Sequence, residues 1–166
     1  MTNTGNKARY VVMKGFLEYA RVFPDNMDSN PEFHPTGQYN MNFYPETDAE
    51  ADKFFAAGIQ RKFRGVDRLK PAKDGSAGYG CGKFIRLKRD NVHRIEELGG
   101  APEVVYWDDE NLGKPWTMEG DGALGNGTYA IVKVVVYGEG DRAGSRLEKV
   151  GIIDHVPYDA DGGSRF

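Results

Sequence analysis

The sequence predicts a mainly β domain, a small closed or half-open barrel of five to six strands with one inserted α-helix and long glycine-rich loops. Three observations lead there. Segments with apolar residues at every second position recur along the chain, as half-buried strands require. One segment switches to helical period. The 22 glycines and 8 prolines among 166 residues supply turns well beyond the usual glycine share of roughly 7%. Closure suits short strands because it removes exposed sheet edges, and a two-sheet sandwich is the other arrangement that fits.

The first strand spans residues 8–23, ARYVVMKGFLEYARVF, with a bend expected at Gly15. A polar, proline-bearing loop follows to Gly37, and QYNMNFY (38–44) reads as the second strand, stopped by Pro45. Thr47 and Glu50 then form a capping-box pattern at a helix start. Ala51, Phe54, Phe55, Ile59 and Phe63 follow at helical spacing and make one apolar stripe. Gly65 to Gly82 is expected to be a basic, glycine-rich loop, and GKFIRLKRDN (82–91) the strand it opens into. After Pro102 comes a short strand, EVVYW, and an acidic turn, Asp108-Asp109-Glu110. Residues 111–127 read as irregular. TYAIVKVVVYG (128–138) and SRLEKVGIIDHVPY (145–158) are the closing strands. Residues 1–158 thus read as one domain and 159–166 as a flexible tail.

Composition narrows the function. The net charge of -3 conceals an asymmetry: Arg61 to Asp90 holds ten basic residues against three acidic, a net +7, and the remainder carries 12 against 22. A bipolar chain of this kind attracts a polyanion locally. No apolar run approaches the ~20 residues of a membrane span, so no membrane partner is expected. The first ten residues lack the apolar core of a signal peptide. A single cysteine, Cys81, fits a reducing compartment, and a cytoplasmic location is the default.

Several catalytic motifs fail on inspection. GDGALG (120–125) matches a dinucleotide fingerprint by letter, but a strand follows it where a helix is required. GYGCGK, ending at Lys83, lacks the first glycine and the final Ser or Thr of a phosphate-binding loop. His34, His93 and His155 show no metal-ligand spacing with Cys81. The acidic turn at 108–110 offers hard oxygen ligands for Mg²⁺, which keeps a metal-dependent nuclease as an alternative. No catalytic residue, metal or cofactor is assigned.

What remains is a recurring pairing of rings and cations on one side of a strand. Alternation puts Phe84, Arg86 and Lys88 opposite Ile85 and Leu87. On the 128–138 strand, Tyr129, Ile131, Lys133, Val135 and Tyr137 oppose Ala130, Val132, Val134 and Val136. Tyr44 ends a face shared with Asn40 and Asn42, and Trp116 sits in a glycine-flanked loop beside Lys114. Bases stack on aromatic faces and phosphates pair with Lys or Arg, so single-stranded nucleic acid asks for this combination. Stacking is accordingly expected from Phe84, Tyr137, Trp116 and Tyr44. Phosphate contacts are expected from Arg86, Lys88, Lys133, Lys83, Arg64 and Arg146. The same rings would also serve as packing beneath a loop.

The stretch LGNGTYAIVKVVVYGEGDRAGSRLEKVGIIDHVPY (124–158) resembles the closing strands of bacteriophage-encoded single-stranded DNA-binding proteins, the oligonucleotide-binding (OB) fold type of lytic phages that includes the short-tailed coliphages. The G-N-G turn into a valine-rich strand and the A-G-x-R-L-E-x-V turn into the last strand carry the likeness. In the front half a K-G-F strand, an aromatic-rich helix and a basic strand extend it. The resemblance implies an OB-fold barrel that coats single-stranded DNA during phage replication, recombination and repair in the infected bacterial cell. It also implies an acidic tail, ending in an aromatic residue, that recruits phage or host replication proteins. Here the sequence ends DADGGSRF, where Arg165 interrupts the acidic run before Phe166; either the natural tail runs further or its role differs. A structural or partner-binding phage protein is a further alternative, and the sequence leaves the oligomeric state open.

Overall fold

A computed structural model describes residues 8–59, 62–63, 66–67, 70–71 and 79–158. The strands are β1 (Arg9–Arg21), β2 (Gln38–Pro45), β3 (Lys62–Phe63), β4 (Val66–Asp67), β5 (Lys70–Pro71), β6 (Lys83–Asp90), β7 (Glu103–Tyr106), β8 (Thr128–Tyr137) and β9 (Gly144–Asp154). Two helices interrupt them, α1 (Asp48–Ala56) and α2 (Met118–Asp121).

One sheet has the order β5-β6-β2-β1-β8-β9-β7, and β3 and β4 pair antiparallel with each other. All pairings in the large sheet are antiparallel except β7 with β9. Its five longest strands therefore pair first with second, second with third, first with fourth and fourth with fifth, an OB-type arrangement of a partly open barrel. No β6–β9 ladder forms among the described residues, so the barrel is not closed through its backbone. A side chain bridges the seam instead. Arg89, only 9% exposed, donates to the carbonyls of Leu147 at 3.4 Å, Gly100 at 2.8 Å and Glu97 and Gly99 at 3.2 Å, and pairs with Glu148 at 3.0 Å.

Strand alternation fills the inside. Met13 and Leu17 from β1 meet Met41 and Phe43 from β2, Ile85 and Leu87 from β6, and Ala130, Val132, Val134 and Val136 from β8, all buried. Leu147, Val150 and Ile152 complete the core from β9. At Gly15 the chains approach so closely that a Cβ would lie 2.1 Å from the Tyr44 carbonyl oxygen, which explains the glycine where a bend was expected. Farther along, the pairing passes from Glu18↔Asn42 to Arg21↔Asn40. The β1 strand spends one residue more than β2 over that interval, which defines a β-bulge.

The six longer strands match the sequence-based assignment closely, and four details differ. The helix ends at Ala56 and does not run on to Phe63, because Gly58 adopts a φ of 120° that no helix accommodates; Ile59 still reaches the core, while Phe63 belongs to β3. The capping box is half formed. The Thr47 hydroxyl accepts the Glu50 N–H at 3.2 Å, but the Glu50 carboxylate accepts the Lys14 N–H at 2.9 Å instead of reaching back. Part of the segment expected as a loop from Gly65 to Gly82 is strand, since β5 pairs with β6, and residues 72–78 lie outside the described residues. Finally, the stretch 111–127 contains α2, started by Thr117, whose hydroxyl accepts the Gly120 N–H at 3.0 Å.

Candidate nucleic-acid interface

In an OB-type barrel the outer face of the second and third strands, with the loops after the first and fourth strands, is the usual oligonucleotide surface. Here those strands are β2 and β6. The alternation that buries Ile85 and Leu87 turns Phe84, Arg86 and Lys88 outward. Arg86 and Lys88 are exposed and Phe84 is half-buried. Neither cation has an ion-pair partner among the described residues. Lys83 is exposed at the strand start.

Phe84 belongs to a chain of rings. It packs against Tyr44 at 5.2 Å between centroids, Tyr44 against Tyr79 at 5.3 Å, Tyr79 against Phe16 at 5.9 Å and Phe16 against Tyr129 at 5.0 Å. The register dictates this grouping, because Phe16 stands opposite both Tyr44 and Tyr129 across the β1 ladders. Tyr79 is brought over them by its own turn. The Cys81 N–H donates to Pro45 O at 2.9 Å, and Gly80, with a φ of 53°, passes so near that a Cβ would sit 2.3 Å from that same oxygen.

Two carboxylates border the rings. Glu18 accepts from the Tyr44 hydroxyl at 3.1 Å and from the Asn42 amide at 3.4 Å. Glu46 accepts from the Tyr129 hydroxyl at 2.6 Å. That hydrogen bond, aided by burial and by the nearby carboxylates, pushes the Tyr129 phenol up to about 12. These acids hold the hydroxyl edges of Tyr44 and Tyr129.

A second group of rings lies on the outer side of β1, β8 and β9. Tyr137 is 43% exposed, with the Arg146 guanidinium 5.5 Å from its ring centre. Lys133, exposed, sits 4.7 Å above the Tyr10 ring, and Lys149 lies 5.7 Å from the ring centre of Trp107. Arg146 is half-buried and paired with Glu148 at 3.1 Å.

Of the residues expected at a binding surface, the structure puts Phe84, Arg86 and Lys88 on one face of β6, with Lys83 exposed at the strand start on the alternate phase, and Tyr137, Lys133 and Arg146 around β8. Trp116 requires a correction. It is 8% exposed and part of the core, its indole N–H donates to Gly122 O at 2.8 Å, and it packs against Tyr106 and His155, each at 4.7 Å. The flanking glycines suggested an open loop, whereas α2 and β7 close over the indole. Tyr44 is on the expected face but 2% exposed, packed against the Phe84 and Tyr79 rings, so it supports the platform and presents no free surface of its own. Arg64 lies outside the described residues. Tyr129 was expected on the outward face of its strand but given no stacking role, and Phe16, Tyr79 and Tyr10 were not singled out. Phe16 and Tyr10 fall on the outward phase of β1, a signal the alternation rule contains; Tyr79 had no periodicity to reveal it.

The acidic turn is local in its bonding. The Asp108 carboxylate accepts the N–H groups of Glu110 at 3.1 Å and Asn111 at 2.7 Å. Among the described residues no cluster of three or more His, Cys, Asp or Glu is arranged to hold a metal ion.

No protein-family profile matches the sequence, and no curated protein is detectably similar to it. Solved structures are similar in fold. One is gp2.5, a single-stranded DNA binding protein encoded by bacteriophage T7, with a TM-score of 0.54 at 16% identity, covering 98% of this chain and 99% of that one. Another is the C-terminally truncated single-stranded DNA-binding protein from bacteriophage Enc34, with a TM-score of 0.50 at 12% identity, covering 95% and 89%. The chain shares the OB-like fold of these phage proteins over nearly its whole length.

Proposed function

We propose that the protein binds single-stranded DNA without sequence preference, by stacking bases on Phe84 and Tyr137 and by holding phosphates with Arg86, Lys88, Lys133, Lys83 and Arg146. The observation that carries this reading is the outer face of β6, where a half-buried ring stands beside two exposed cations that have no ion-pair partner among the described residues. Rings alone would suit a protein partner, and cations alone would suit solvent. A ring followed by two cations on one strand of an OB-type face supplies what an unpaired chain asks for, a surface for stacking and charge for phosphates. The fold shared with two phage single-stranded DNA-binding proteins favours the same ligand.

The role that follows is non-catalytic coating of exposed strands during phage DNA replication, recombination and repair, within an infected bacterial cell. Recruitment of replication proteins would fall to residues 159–166, which lie outside the described residues. A fluorescence titration with oligo-dT, oligo-rU and duplex DNA at two salt concentrations tests the reading. Trp107, half-buried beside Lys149, is the natural reporter, because Trp116 is enclosed. Binding of oligo-dT that weakens with salt, with little affinity for duplex, is the expected result. A salt-independent response or a preference for duplex would refute it. Incubating a labelled strand with Mg²⁺ or Mn²⁺ separates coating from nuclease action, since a coating protein leaves the strand intact.

A further inference from the structure

The β1 bulge carries a tyrosine where the backbone favours glycine. Tyr19 has a φ of 53°, alone among the non-glycine residues described, and a bulky side chain in that left-handed region is a costly outlier. Packing does not repay the cost, because the residue is 64% exposed. The Tyr19 hydroxyl has no hydrogen-bond partner among the described residues. The backbone is nonetheless pinned: the Tyr19 N–H donates to Asn126 Oδ1 at 2.7 Å, and the Gly127 N–H donates to Leu17 O at 2.8 Å.

The extra residue also changes direction in the strand. Leu17 and Ala20 are both buried, so Glu18 and Tyr19 stand consecutively on the outer side, an effect that bulges beside functional sites commonly have. Register fixes their neighbours. Glu18 is level with Asn42 and, across β2, with Arg86; Arg21 is level with Asn40 and then with Lys88. Tyr19 therefore lies on β1 between the two rows that carry the exposed cations of β6.

We infer that Tyr19 is a base-stacking residue of the same interface, held in a strained backbone so that its ring faces the strand whose phosphates Arg86 and Lys88 hold. The inference rests on the proposed single-stranded DNA binding and extends it from β6 to β1.

Thermal melts and anisotropy titrations with labelled oligo-dT on Tyr19→Gly, Tyr19→Asn and Tyr19→Phe test it, with Phe84→Ala alongside. Glycine and asparagine relieve the backbone, so both variants should melt about 2–4 °C higher while binding about tenfold more weakly. Tyr19→Phe keeps the ring and should bind like the wild type. Wild-type affinity in the glycine and asparagine variants overturns the assignment. If Phe84→Ala is weakened in that same series, the interface on β6 stands without Tyr19. A lower melting temperature for Tyr19→Gly overturns the strain argument, and failure of the wild type to bind oligo-dT removes the inference together with the function it extends.

Discussion

The ring-and-cation groups on β6 and on β8–β9 look alike in sequence but differ in how their charges are used. On β6, Arg86 and Lys88 stand beside Phe84 with no ion-pair partner among the described residues. Around β8 and β9 each cation already has an aromatic partner: Lys133 covers Tyr10, Arg146 covers Tyr137, and Arg146 is also tied to Glu148. A ring capped by its own guanidinium must exchange that cation–π contact, worth about 0.5–1 kcal/mol at an exposed site, before a base can take the same face. The two patches should therefore contribute unequally, with β6 dominant and β8–β9 auxiliary.

The last cation of β6 marks the limit of reading charge as function. Arg89 is one residue from Lys88, yet its guanidinium is consumed by backbone carbonyls and Glu148 at the seam. Arg89→Ala should lose about 3 kcal/mol by leaving those acceptors without a partner, seen as a melting temperature lower by about 10 °C. At a temperature where the variant is folded, its salt dependence of binding should equal that of the wild type. A changed slope would place Arg89 among the phosphate contacts.

The inequality between the patches is tested by single substitutions. Phe84→Ala should weaken oligo-dT binding about tenfold, as expected for one stacked base, whereas Tyr137→Ala should cost about threefold or less because its ring is partly engaged. Equal losses in the two titrations would dissolve the distinction. The cations give the finest measure. Each phosphate contact on a single strand contributes about 0.7 to the slope of log K against log salt, so Arg86→Ala with Lys88→Ala should flatten that slope by about 1.4. An unchanged slope in the double variant would move the phosphate path away from β6.

Much of the architecture was legible in the sequence because burial imposes a period of two on each strand. The outward position of Phe84, Arg86 and Lys88 followed from Ile85 and Leu87 alone. The seven-stranded order was not legible, since alternation shows which side faces the core and not which strand lies alongside. Trp116 misled for a related reason: glycines on either side of it described the freedom of the loop, while its burial depends on α2 and His155, which are distant from that local signal or too short to show a period. The positions of Tyr79 and Tyr19 were hidden differently. One depends on a tight turn against Pro45, the other on an extra residue in a ladder, and neither leaves a repeat in the sequence.

The helix α1 has a consequence for the protein's behaviour in crowded solution. The β2 strand begins to pair with β1 only at Gly15↔Pro45, so among the described residues the earlier part of β1 meets β8 on one side and no strand on the other. There Glu50 takes the Lys14 N–H, and Lys53 reaches the Val12 carbonyl at 3.4 Å. Unshielded strand margins invite pairing with another molecule. The two helical side chains thus occupy a backbone donor and acceptor that a second chain would need, and replacing both Glu50 and Lys53 by alanine should raise light scattering at high concentration relative to the wild type.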